Sequence, residues 1–180
     1  IRDVAVTGVQ TCALPICIAY RVDVTTDMLE ELADDKRFVA VKESSDDIRR
    51  TTEIINRLGR RYDVFTGVDN LAFEALTAGA IGWVAGLVVA FPHETVAIYR
   101  LVQAGRYAEA LEIYRWFRPL LDLDVSSYLV QNIKLVEAMV IDSNERVRLP
   151  RMPLEGEPRT RAEAVVKAAL ANRPKLPSFA

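Results

Sequence analysis

Three short apolar runs, each closed by a polar or glycine-rich turn and separated by amphipathic stretches, constrain this chain most. They are Phe38–Lys42, Tyr62–Thr66 and Ile81–Ala85. Between the first two lies a helical stripe, Ile48, Thr51, Ile54, Ile55 and Leu58, ended by Gly59. Between the second and third, Leu71–Ala78 is a short helix ended by Gly79. Strand, helix, strand, helix, strand at this spacing predicts parallel βα units, because parallel strands need a crossover and a helix is the usual one. A preceding helix, with Thr25 or Thr26 as cap and Leu29 and Leu32 on one face, adds a further covering element.

After Pro92 the sequence turns helical. Thr95–Ala104 ends at Gly105. Tyr107, Leu111, Tyr114, Phe117 and Leu121 mark a second helix, bent or ended near Pro119. Leu129, Ile133, Val136 and Val140 mark a third. Pro150–Pro158 reads as extended, and Arg161–Ala171 as a last helix. Three strands do not make a sheet that can bury both faces, and a closed (β/α)8 barrel takes about 250 residues. The fold class expected is α/β: the C-terminal part of a (β/α)8 barrel followed by helices. Residues 18–91 hold the partial barrel and 92–180 the helical region.

The first 17 residues carry no helical or strand period. Their Val6–Ile16 string resembles translated sequencing adapter, so residues 1–17 read as a non-native tail and stand outside the fold expectation.

Composition narrows the function classes. The net charge of −2 and 27% charged residues give no basic excess for nucleic acid. Ala75–Phe91 has no charged residue but carries Gly79, Gly82 and Gly86, stops at Pro92 and is shorter than the ~20 residues of a span. No membrane partner is expected. Cys12 and Cys17, with no nearby histidine, make a poor zinc site, so neither metal nor cofactor is expected. Nothing demands an oxidising compartment, which leaves the cytoplasm as the default. His93, in the first turn after Pro92, reads as exposed and structural, and the Tyr107, Tyr114, Trp116 and Phe117 group as helix packing.

Lys42 is the chemically suggestive residue. Of Lys36, Lys42, Lys134, Lys167 and Lys175, it alone closes an apolar strand. A lysine amine in a low-dielectric setting releases its proton more readily than one in water and can then attack a carbonyl, which a guanidinium cannot do. The alternative is a strand-end lysine reaching to solvent. On strand alternation Phe38, Ala40 and Lys42 share one face, and Val39 and Val41 face the helices. Ser44 or Ser45 is expected to cap the next helix, with Asp46 and Asp47 in its first turn.

Val41-Lys42-Glu43-Ser44-Ser45, Phe65-Thr66-Gly67-Val68-Asp69 and Gly79–Gly86, followed by Ala90-Phe91-Pro92, resemble the dihydrodipicolinate synthase / N-acetylneuraminate lyase family of class I aldolases. Ile18–Asp23 resembles the stretch after that family's fifth strand, and the resemblance runs to about Ala171. It implies a Schiff base between Lys42 and pyruvate or a related small 2-oxo acid. It further implies that Gly67 borders the substrate through its backbone and that Val84 offers its carbonyl near the lysine. Ser44 would touch substrate or act as a helix cap. Asp69 would contact the substrate's polar tail or cap the helix near Leu71. The resemblance also implies a homodimer or homotetramer for the parent protein.

The departures concern the first segment. The family's proton-shuttling tyrosine corresponds to Leu14, and the arginine that binds the second substrate corresponds to Ala19, with Arg21 close by. The threonines that bind the pyruvate carboxylate have no counterpart. The resemblance implies a lyase or aldolase for the parent protein. One alternative is a hydroxypyrroline-carboxylate deaminase of the same family, which Tyr114–Leu121 and Gln131–Leu135 resemble. The other is that the chain as written is an inactive truncated fragment.

Overall fold

The structure, a computed structural model, describes residues 12–13 (backbone only), 23–84 and 86–178. Four parallel strands lie in the order β1 (Cys12–Ala13), β2 (Ala40–Glu43), β3 (Asp63–Thr66) and β4 (Gly82–Trp83). The three strands expected from the sequence are therefore adjacent and parallel. Val41 pairs with Val64 and Lys42 with Phe65, while Phe65 pairs with Gly82 and Thr66 with Trp83. Pairing reaches past the regular strands: the Ile81 and Val84 N–H groups donate to Val64 and Thr66 carbonyls at 2.8 and 2.9 Å.

The pairing of Cys12–Ala13 with Ala40–Val41 was not expected. It is made by backbone groups, which carry no side-chain pattern to read. The rest of residues 1–22, including Leu14, Cys17, Ala19 and Arg21, lies outside the described residues, as does Ala85.

Two compact units divide the chain. The first holds the described residues up to Val68 with Glu74–Val84, and so contains the sheet. Against one sheet face pack α1 (Thr26–Glu31) and α2 (Arg49–Leu58). Leu29, Val41, Ile54, Tyr62 and Val64 form the core there, with Val24, Phe38, Ile55 and Leu58 half-buried around it. Each such aliphatic side chain contributes on the order of 1.5–3 kcal/mol by leaving water. The Tyr62 hydroxyl donates to the Leu29 carbonyl at 2.7 Å, tying the start of β3 to α1. Thr25 caps α1 by accepting from the Met28 N–H.

Two expectations in this unit are corrected. Phe38 joins the helix-side core and Val39 is exposed, the reverse of the alternation read from the sequence. Regular strand geometry begins only at Ala40, so the phase does not extend back to residues 38–39. Second, neither Ser44 nor Ser45 caps α2, which starts at Arg49 after Ile48. Asp46 has φ 68°, in the left-handed region, and breaks the path into the helix. Asp47 takes over, accepting from the Arg49 N–H at 3.0 Å.

The second unit, Asp69–Phe73 and the residues after Val84, is helical. It contains α4 (Pro92–Gln103), α5 (Tyr107–Leu121), α6 (Leu129–Val140) and α7 (Gly156–Ala171), while α3 (Ala72–Thr77) straddles the division. Its core includes Phe91, Ile98, Leu101, Phe117, Leu120 and Leu121. Phe91, Trp116 and Phe117 pack ring on ring, and Tyr114 stacks on Phe73. His93 is exposed. α5 runs through Pro119 to Leu121, because the proline forfeits one backbone bond near the helix end while Phe117, Leu120 and Leu121 remain buried. α7 begins at Gly156 rather than Arg161, with Pro158 in its first turn, where the missing N–H would have had no partner. Among the described residues no helix is long and apolar enough to cross a membrane.

Candidate active site

Successive residues of a strand point to opposite faces, and paired residues of neighbouring parallel strands share one. Val41 and Val64 face the helices. Lys42 therefore stands on the other face, level with Phe65, which in turn is level with Gly82. Gly82 makes room for the aromatic ring: a Cβ there would come within 2.8 Å of Phe65 Cδ1 and Cε1. Ala40, one step below on the same face, leaves space under the lysine stem.

At the C-terminal end of β3 the chain passes directly beside Lys42. The Gly67 N–H donates to the Glu43 carbonyl at 2.8 Å, holding the glycine against the end of β2. A Cβ on Gly67 would stand 2.2 Å from Lys42 Cε, 2.8 Å from Lys42 Cγ and 2.1 Å from Ser44 Oγ. Real Cβ atoms do not approach that closely. Lys42 and Ser44 thus share the space that the glycine leaves open, and the two side chains are close neighbours.

Ser44 is buried, and its Oγ has no hydrogen-bond partner among the described residues. A buried hydroxyl left unpaired is costly, on the order of 1–3 kcal/mol, so a site in which one persists beside an amine is suited to a polar ligand. Val84 joins the same rim through its N–H to the Thr66 carbonyl, and its side chain is half-exposed. The structure therefore brings Lys42, Ser44, Gly67 and Val84 to the C-terminal edge of one sheet. Asp69 belongs to the other unit. It is wholly buried, opens a short 3-10 turn (Asp69–Leu71), and its Oδ2 accepts from the Leu87 N–H at 3.1 Å.

Glu43 was missed by the sequence analysis. It is only 4% exposed and points to the helix side, where alternation from Val41 places it. Its Oε1 accepts from the Ser45 N–H at 2.7 Å. Burial pushes its carboxyl above the ordinary carboxylate range, against the opposing pull of the Ser45 hydrogen bonds and the Arg50 charge. Arg50 is itself paired with Asp23, whose carboxyl that hydrogen bond holds below its usual range. An acidic residue in phase with a core valine was the signal available in the sequence. Among the described residues no cluster of histidine, cysteine or acidic side chains could hold a metal.

The model of the dihydrodipicolinate synthetase family matches residues 16–169. The chain belongs to that family. It is 28% identical over 149 residues to a 4-hydroxy-tetrahydrodipicolinate synthase of Geotalea uraniireducens, covering 81% of this chain and 50% of that protein. It is 31% identical to the enzyme of the same description from Phocaeicola vulgatus, covering 73% of this chain and 45% of the relative. Among solved structures, dihydrodipicolinate synthase from Aquifex aeolicus superposes with a TM-score of 0.80 at 25% identity, over 93% of this chain and 56% of that one. The chain spans about half the length of the curated family relatives it matches. The four parallel strands and following helices are thus the arrangement of a partial family barrel.

Proposed function

We propose that this chain carries the Schiff-base end of a class I lyase or aldolase acting on pyruvate or a related 2-oxo acid. The observation that supports the reading is the packing of the Lys42 stem against Gly67 beside the unpartnered Ser44 hydroxyl. In the proposed chemistry the unprotonated Lys42 amine attacks the C2 carbonyl, and loss of water gives the imine. The Ser44 hydroxyl hydrogen-bonds the bound acid, Gly67 lets the substrate approach the backbone, and the Val84 carbonyl orients the amine. Asp69, buried and bonded to the Leu87 N–H, is assigned to tying its turn to the segment at Leu87 rather than to touching substrate. Membership of the family and the names of its relatives favour this reaction class. The same reading carries a cytoplasmic homodimer or homotetramer, which sedimentation of the purified protein checks.

The test is covalent. Pyruvate with borohydride should add a reduced adduct at Lys42, located by peptide mass. Lys42→Arg should abolish it, because the guanidinium stays protonated. An adduct that persists in Lys42→Arg, or none in wild type, would overturn the assignment.

A further inference from the structure

We infer that Glu43 is a positioning residue for the Lys42 site, fixing from the helix-covered side of the sheet the turn that holds Ser44 beside the lysine. The inference rests on the proposal that Lys42 is the reactive amine, and it adds a residue that neither the family resemblance nor the relatives assign.

Glu43 is attached on both sides of the site. Its carbonyl accepts the Gly67 N–H at 2.8 Å, and its carboxylate accepts the Ser45 N–H at 2.7 Å. Ser44 lies between these anchors. Because the Ser44 hydroxyl has no partner of its own, its direction is set by the backbone around it. Of the two anchors, the backbone bond to Gly67 is available to any residue at position 43. The bond to Ser45 needs a side-chain acceptor of this length.

An apolar side chain would suit the buried position better, since taking a carboxylate from water is costly unless it is well bonded. The charged groups facing Glu43 are Arg50 from α2 and Asp47 from the intervening turn, with Asp23 neutralising Arg50 from before α1. None of the hydrogen bonds described links Arg50 to Glu43, so the carboxylate acts on the turn through Ser45, whose N–H and side chain both bond it.

The experiment uses the full 180-residue chain, with Glu43→Gln and Glu43→Leu, and far-UV circular dichroism to establish folding. Two readouts are taken from pH 5 to 9. One is the rate of pyruvate–borohydride trapping at Lys42. The other is reductive methylation of Lys42 relative to the exposed Lys36, which requires no substrate. Glu43→Leu should slow trapping about tenfold or more, as expected when a group next to the reacting atom is displaced by around an ångström. It should also change the Lys42:Lys36 methylation ratio. Glu43→Gln, which keeps an acceptor, should retain the wild-type methylation ratio. Trapping in Glu43→Gln should stay near the wild-type rate, because its amide oxygen can accept the same Ser45 N–H, a rescue that loss of charge or packing alone would not give.

Wild-type trapping in folded Glu43→Leu, or trapping in Glu43→Gln as slow as in Glu43→Leu, overturns the inference. If Glu43→Leu fails to fold, Glu43→Met, which has a similar length and no oxygen acceptor, takes its place. If wild type is never trapped, the Lys42 proposal has failed, and methylation judges Glu43 separately. A ratio changed only in Glu43→Leu supports its positioning role, and one unchanged in every variant overturns it.

Discussion

Lys42 Cε lies in the space that a side chain on Gly67 would occupy, 2.2 Å from the position of its Cβ. The methyl group of Gly67→Ala would also meet Lys42 Cγ at 2.8 Å and Ser44 Oγ at 2.1 Å. The lysine tip can swing away, but the Cγ contact lies near the root of the side chain, so the whole stem must move. Gly67→Ala should therefore lower pyruvate trapping at Lys42 by about 10²-fold, the scale expected for a displacement near 1 Å. Trapping at the wild-type rate would show that the glycine is not the floor of the site.

Ser44→Ala separates ligand binding from folding. The hydroxyl is buried without a partner, so its removal should leave thermal stability unchanged or raise it by up to about 1 kcal/mol. Trapping should nevertheless slow, because the bound acid loses a donor. A variant that is destabilised and traps normally would assign Ser44 to structure alone.

These residues became visible in different ways. The βα order, the parallel pairing and the placement of Lys42 and Gly67 at one edge were legible, because hydrophobic period and turn glycines are local signals. The phase at Phe38 was not, because nothing in the sequence marks Ala40 as the first residue of regular strand. The sequence Ser44–Asp47 suits a capped helix start, whereas a left-handed Asp46 and a relay of side-chain acceptors form the turn. Serine and aspartate serve both arrangements equally well. Glu43 was not legible, because an acid beside a strand-end lysine is far more often solvated than buried.

Glu43 should also leave a mark on the pH dependence of stability. Burial raises its folded pKa above the ordinary 4.5. Between the unfolded and folded values the native state holds the extra proton, so stability contributed by this group falls as pH rises through that window. Glu43→Gln removes the titration. Its melting temperature should gain on wild type between about pH 4 and about pH 8, with the gain levelling off once Glu43 is ionised in both states. An equal difference at both pH values would show that the carboxyl is not perturbed.

In the helical unit Arg173 reaches back from beyond α7 to Glu94 in the first turn of α4. Its Nε donates to Glu94 Oε1 at 2.5 Å, and its guanidinium lies over the Phe91 ring at 5.4 Å. Glu94 is buried, and its second oxygen has no hydrogen-bond partner among the described residues. Arg173→Ala should cost about 1–3 kcal/mol in denaturant unfolding, the penalty of stranding a buried acceptor. Adding Glu94→Leu should recover part of that loss, since it removes the stranded charge. Additive losses would refute a specific pair.

The 180-residue chain assayed alone is expected to trap pyruvate but not to turn over. Trapping requires one free amine and a reductant in excess. Turnover also requires proton transfer to and from the imine and a grip on the carboxylate, each commonly contributing about 10²-fold or more. The sheet face that carries Lys42 is less sealed from water than the other: Ala40, Lys42 and Phe65 are half-buried and Asp63 is exposed, whereas Val41 and Val64 on the helix face are buried. Water on that face weakens every dipole aimed at the reacting atoms, since electrostatic stabilisation depends on a dry, preorganised site. Assays with pyruvate and candidate aldehydes should give background rates. Turnover well above background that disappears in Lys42→Arg would show that the four described strands suffice for catalysis.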